Sequence, residues 1–296
     1  MNVSRLFFIL ALFLVSCEDL KQEVNLDGFS DQTPRLAVAC FISPQDSVIA
    51  AKVVRTRSVF DDESLSSLDI TDATVKLTSS AKTVTLPYDG RRGYYRISPQ
   101  QLPILAGQSY TLTIETKDGQ KAEASCTVPQ PVALQRLALD SVKMTEDGVA
   151  KKRFFVRYYW QDVAGQPNYY QPEGVFSPQC PTCQPTTYPV YFSASRLFYT
   201  DQDGSKSNFE SAPGYLGPAV PEEATLLGTN YQSALIRGSL LHVDENFYRY
   251  HVALDQQRQA DNNPFAEPVL IPTNIKGGLG CFGAYNRSTA TLTVRP

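Results

Sequence analysis

Six cysteines and two histidines are the side chains of this 296-residue chain best suited to chemistry. Cys17 stands apart from the other five. It closes Leu14-Val15-Ser16-Cys17, at the end of a ten-residue apolar run, Leu6–Val15, that follows Arg5. A charged start, a short apolar core and a small residue before a cysteine are the pattern on which residues 1–16 are removed and a lipid is attached to the cysteine. A membrane span needs roughly 20 apolar residues, so this run reads as a signal peptide and not as a span. Cys40, Cys126, Cys180, Cys183 and Cys281 remain. An exported protein permits disulfides, and an odd count leaves at least one thiol free or paired between chains. Cys40 and Cys126 share the inward phase of the first and last strands of one region, where a bridge and two buried free thiols are both open. Cys180-Pro-Thr-Cys183 has the spacing of a redox motif or of half a zinc site. However, Gln184–Pro189 starts no helix to lower a thiol pKa, and a closed zinc site needs four ligands. The expectation is a local disulfide or a pairing with Cys281.

His242 and His251 are nine residues apart and would point to opposite faces of any shared helix, so they make no metal pair. His251 reads as a hydrogen-bonded core residue. No zinc-protease His-Glu-x-x-His, no Gly-x-Ser-x-Gly and no phosphate-loop lysine occurs. Gly277-Gly278-Leu279-Gly280 reads as a turn into an aromatic strand at Phe282. No catalytic residue, metal or cofactor is expected. Aromatic side chains crowd a proline-rich stretch, Gln161 to about Pro189; packing into a core or within the loop is the leading reading, and a recognition surface in which those on the loop itself, Tyr169, Tyr170 and Tyr188, stack on a ligand or partner is the other.

The elements behind these residues are mostly strands. Leu36, Val38, Cys40 and Ile42 alternate, as do Ala73, Val75 and Leu77, then Tyr110, Leu112 and Ile114, then Ala122, Ala124, Cys126 and Val128. With turn signals at Asp89-Gly90 and Asp118-Gly119, they predict an immunoglobulin-like β-sandwich over 34–129. Leu105–Leu112 resembles a tyrosine corner, in which the Tyr110 hydroxyl ties a loop to the sandwich edge. Residues 17–33 are a polar linker. Pro129-Gln130-Pro131 marks a boundary, and 130–296 is expected to form a second β-rich domain with the proline-rich loop and one amphipathic helix. Strands are expected at Leu134–Val142, Arg153–Trp160, Tyr191–Tyr199, Ala234–Leu241 and the carboxy terminus. Asp244 is the helix N-cap, with Phe247, Tyr250, His251 and Leu254 on one stripe. Six prolines argue against regular structure in Gln161–Pro189. With 27 basic against 30 acidic side chains and no basic stripe, the chain lacks the footprint of a nucleic-acid binder.

Several stretches carry a resemblance to a family. Asp162–Tyr170, Asn263-Pro264-Phe265-Ala-Glu267-Pro268 and Thr273-Asn274-Ile275-Lys-Gly277-Gly278-Leu279-Gly280-Cys281-Phe282 resemble the Bacteroidota lipoproteins called domain of unknown function forty-two forty-nine. Ala73–Leu77 and Gly107–Leu112 look like that family's sandwich, so the resemblance spans 17–296. Glu18 and Asp19 resemble the acidic signal that sends such lipoproteins to the cell surface. The resemblance implies a lipid-anchored protein of the outer membrane, attached through Cys17. It further implies a non-enzymatic partner of a TonB-dependent receptor in the capture of a nutrient or in assembly. A structural or adhesive surface protein, and a hydrolase or redox enzyme with an unrecognised site, are the rival readings.

Overall fold

The structure, a computed structural model, describes residues 34–57, 68–180, 184–193, 197–202, 207–227, 231–260, 266–267 and 269–295. The expected signal peptide, Cys17 and the expected linker lie outside the described residues. Arg35–Arg55 and Leu68–Pro296 form one unit; of the other, 1–34 and 56–67, only Pro34, Thr56 and Arg57 are described. The protein is mostly β, with eighteen strands and one helix among the described residues. No helix among them is long and apolar enough to cross a membrane.

The first region contains β1 (Leu36–Ile42), β2 (Ile49–Arg55), β3 (Thr74–Thr78), β4 (Thr83–Leu86), β5 (Tyr88–Asp89), β6 (Tyr94–Ile97), β7 (Ser109–Glu115) and β8 (Lys121–Thr127). The alternation read from sequence is the burial pattern observed: every other residue of β1, β7 and β8 is buried, because successive side chains point to opposite sheet faces. The sheet β4-β3-β7-β8 and the strands β1, β2 and β6 supply one shared core, with Leu36, Ile42, Leu77 and Leu112 among its fully buried members. Tyr110 forms the expected corner. Its hydroxyl donates to Pro103 O at 2.9 Å and accepts from Leu105 N at 2.9 Å, which ties the 103–105 loop to β7.

The second region holds β9 (Leu134–Glu146), β10 (Val149–Gln161) and β11 (Tyr169–Gln179). Five short strands follow: β12 (Tyr188–Pro189), β13 (Tyr199–Thr200), β14 (Asn208–Glu210), β15 (Gly214–Tyr215) and β16 (Val220–Pro221). β17 (Ser233–Val243), α1 (Glu245–Ala260) and β18 (Gly278–Val294) complete the unit. The long β9–β10 pair and the β11–β17 pair share a second core around Val156, Tyr158, Trp160, Tyr170, Ile236 and Leu240. Tyr158 lies flat where Gly174 and Gly238 pair across β11 and β17: a Cβ on Gly174 would fall 2.2 Å from the Tyr158 hydroxyl.

Three expectations are corrected. Pro129 does not divide two bodies, and the first core draws Ile275, Phe282 and Ala284 from beyond it. β18 pairs antiparallel with β17 through its second half and parallel with β1 through its first, Leu36 opposite Gly278 to Ile42 opposite Ala284, so one nine-stranded sheet runs through both regions. Phe282 and Ala284 thereby join the first core from the far end of the chain. Regular structure also persists through the prolines, since β11 contains Pro172 and Pro178. Gly174 O accepts from Val190 N on the β12 side, and Pro172 and Pro178 share its phase. Their missing N–H groups therefore face away from β17, where β11 pairs only at Tyr169–Tyr170 and Val175–Phe176. Of the strand expected over Tyr191–Tyr199, an isolated bridge from Tyr191 to Tyr215 and β13 are present, and 194–196 lie outside the described residues.

Two glycines let β18 approach its neighbours, Gly277 against β8 and Gly280 against β1. Gly277 (φ 79°) turns the chain where a Cβ would meet Lys121 O at 2.2 Å, and Gly280 (φ 102°) sits inside β18 where a Cβ would meet Val38 O at 2.0 Å. The backbones touch because no side chain intervenes.

Candidate functional site

Strand register decides which side chains meet on the outer face of β11, β17 and β18. Tyr169, Val243 and Tyr285 form one row across the three strands; Gln171, Leu241 and Arg287 form the next. Glu173, Ser239 and Thr289 follow, and then Val175, Arg237 and Thr291. The apolar end of this face is covered by α1. Asp244 caps that helix, accepting from Phe247 N at 2.7 Å, and Tyr248 stacks on Tyr169 with ring centroids 4.4 Å apart. Past the helix the face becomes polar and opens as a groove of about 590 Å³ lined by Glu173, Val175, Arg237, Ser239, Arg287 and Thr289.

A chain of polar contacts runs into the groove from the loop after β1. Tyr285 OH donates to Asp46 Oδ1 at 2.6 Å, and Arg287 Nη2 donates to Tyr285 OH at 3.3 Å. Arg287 Nε lies 3.3 Å from Glu173 Oε1. The loop itself is held by Gln45, which donates to Asn286 Oδ1 at 2.8 Å and accepts from Arg287 N at 2.9 Å. Burial raises the Asp46 carboxyl above the usual range, against the opposing hydrogen bond from Tyr285 and the charge of Arg287. Glu173 is raised by burial too, with Arg287 opposing and Asp46 adding to the rise. Burial, then the Asp46 hydrogen bond, pushes the Tyr285 phenol up. Of these groups Glu173 lines the groove itself, with Asp46 and Tyr285 beside it, and a perturbed carboxyl at a concave surface marks a candidate site. The ion pair is partly exposed, at 31% for Arg287 and 45% for Glu173, and such pairs contribute at most about 1 kcal/mol. Its contribution to the stability of the fold is therefore small.

The residues singled out by sequence are dispersed. Tyr170 is fully buried beside Trp160, its hydroxyl bonded to Asp162 Oδ1 at 2.6 Å, and Tyr169 is buried under α1. Both belong to cores, because their segment is strand β11 and not a loop. Tyr188 is exposed on β12, as is Tyr191 nearby. Cys40 and Cys126 are buried, as their phase requires, but are free thiols, and no bridge joins them. β8 packs on β18, which the parallel seam inserts beside β1. Cys281 is likewise buried and free, so it pairs with neither cysteine of the Cys180–Cys183 motif. Cys180 is disulfide-bonded, and Cys183 lies outside the described residues. His242 Nδ1 bonds to Gln130 O at 2.7 Å. His251 is packed against Phe41 and Phe247, but its buried Nε2 has no hydrogen-bond partner among the described residues, and burial lowers its pKa to about 4.

Asp46, Glu173, Arg237 and Arg287 were not legible as a group. Each strand charge occupies the outward phase of a strand whose other phase is apolar, which marks it as facing outward. Sequence spacing does not reveal that Glu173 and Arg287, 114 residues apart by number, converge across β17. No curated relative matches the chain. Residues 21–291 match the model of the family described as Domain of unknown function (DUF4249), and the chain belongs to that family.

Proposed function

We propose that the protein is an outer-membrane lipoprotein, anchored at the cell surface by lipid on Cys17, that serves as a non-enzymatic accessory of a TonB-dependent receptor. Its task in this reading is to capture a nutrient or to hold an assembly together. The observation that carries the reading is the placement of Cys17 directly after Leu6–Val15, with the polar residues 18–33 as a tether ahead of the folded body. The partner follows from what the family resemblance implies, and the groove beside Glu173 and Arg287 is a surface open to a ligand. In the same reading Cys180 and Cys183 form a local disulfide. Replacing Cys17 by Ser tests the anchor: the variant should leave the membrane fraction, and retention there would overturn it.

A hydrolase reading is favoured by one feature, the two carboxyls raised by burial on either side of Arg287. It requires Glu173→Gln to abolish turnover of a substrate bound in the groove.

A further inference from the structure

We propose that the groove on the outer face of β11, β17 and β18 binds a small ligand through an oxyanion, carboxylate or phosphate, held between Arg237 and Arg287, with Glu173 as the internal counter-ion that the ligand displaces. The biological use of this site rests on the capture reading above; the binding itself does not.

Charge balance is the first argument. The lining of the groove has two guanidinium groups and one carboxylate, with Asp46 outside the lining and hydrogen-bonded to Tyr285, so the lining itself favours an anion over a cation. Arg237 makes no ion pair or side-chain hydrogen bond among the described residues, whereas Arg287 is paired with Glu173. The second argument is an unspent donor. Arg287 Nε is buried and lacks a hydrogen bond of good geometry even with Glu173 Oε1 3.3 Å away. A guanidinium presents a planar fork suited to two oxygens of one anion, and here part of that fork is unused.

Register supplies the third argument. Arg287 lies one row above Ser239 and Thr289, and Arg237 lies one row below them. The two hydroxyls, 3.2 Å apart, are thus placed between the two cations and can turn their O–H groups to an oxygen in the groove. Glu173 stands in the same row, so an arriving anion competes with it for Arg287. A partly exposed ion pair is weak enough to be exchanged in this way. Burial, with Asp46 adding to it, already raises the Glu173 carboxyl against the charge of Arg287. The charged groups acting on it are Arg287 from β18 and Asp46 from the loop after β1, and it adds in turn to the rise of the Tyr285 phenol of β18; Arg237 of β17 lines the same groove.

The test is isothermal titration of the intact purified protein in mild detergent with inorganic phosphate and, separately, with D-glucuronate. Saturable binding of either is expected, and the tighter of the two identifies the source of the oxyanion. Arg237→Gln should weaken binding about tenfold or more, as loss of a charged hydrogen bond does. Glu173→Gln should tighten it severalfold, because Arg287 loses its competitor. Melting temperatures near wild type establish that both variants fold. Saturation by neither ion, or an Arg237→Gln variant that binds as wild type does, would overturn the site. So would a Glu173→Gln variant that binds no better, because the displaced counter-ion is part of the claim. A receptor still recovered with the protein in such a case would leave the accessory role standing, so the two ideas fail separately.

Discussion

Arg287 Nε approaches Glu173 Oε1 to 3.3 Å although the two residues stand on β18 and β11, strands kept apart by β17. Arg287 reaches diagonally past Leu241 toward the row of Ser239. Both side chains remain partly in solvent, and screening limits what the contact contributes to the fold. Glu173→Gln should therefore change the free energy of unfolding by less than about 1 kcal/mol. Urea denaturation checks this, and a loss several times larger would make Glu173 a structural residue.

The parallel seam between β1 and β18 depends on Gly280. Gly165 offers a control of nearly the same backbone angle, φ 100° against 102°, with nothing within 4 Å of the site of a Cβ. Gly165→Ala should cost about 1–3 kcal/mol from backbone strain. Gly280→Ala should cost more, because the methyl also meets Val38 O. Equal shifts in the two urea midpoints would mean that the close approach is not needed.

Asp244 links helix α1 to β18, its two carboxyl oxygens accepting from Phe247 N at 2.7 Å and Ala284 N at 2.9 Å. Those bonds favour the ion, but burial outweighs them and raises the pKa from 3.8 to about 7. A folded-state pKa above the unfolded one contributes stability that is full below the unfolded value and is lost as pH rises through the folded value. The stability advantage of wild type over Asp244→Asn should thus shrink between about pH 4 and 7, by about 1.4 kcal/mol for each unit of pKa difference. Thermal melts of both proteins across that range decide it, and an advantage that grows toward pH 7 would show the carboxylate to be the favoured form.

Cys40, Cys126 and Cys281 are free and buried, with the Cys40 thiol pushed up to about 12 by burial and the other two also raised. Thiols of this kind are poor nucleophiles and poor metal ligands. Iodoacetamide at pH 8 should leave all three unmodified in the folded protein and label them in urea, as peptide mapping by mass spectrometry would show. Rapid labelling of any one in the native state would reopen a redox role.

Local pattern carried much of the fold. The alternations around Leu36, Tyr110 and Ala122, the corner at Tyr110 and the cap at Asp244 depend on neighbours a few residues away, and such neighbours are visible in a sequence. The seam of β18 against β1 joins residues some 240 positions apart, and no periodicity encodes a partner at that distance. Pro172 and Pro178 misled because a proline is excluded only where its N–H would have served a ladder, and that depends on which edge of β11 is bare. Tyr169 and Tyr170 are unavailable for recognition for the same reason: once their segment is the start of strand β11, one faces the core under α1 and the other the core around Trp160. The groove was the least legible part, since Asp46, Glu173, Arg237 and Arg287 are brought together by register alone.

The accessory role is tested most directly by purifying the protein in mild detergent through a carboxy-terminal tag and identifying its companions by mass spectrometry. A TonB-dependent receptor is expected to be recovered in amounts comparable to the protein itself. Recovery of the protein alone, under conditions that keep known receptor complexes intact, would contradict it.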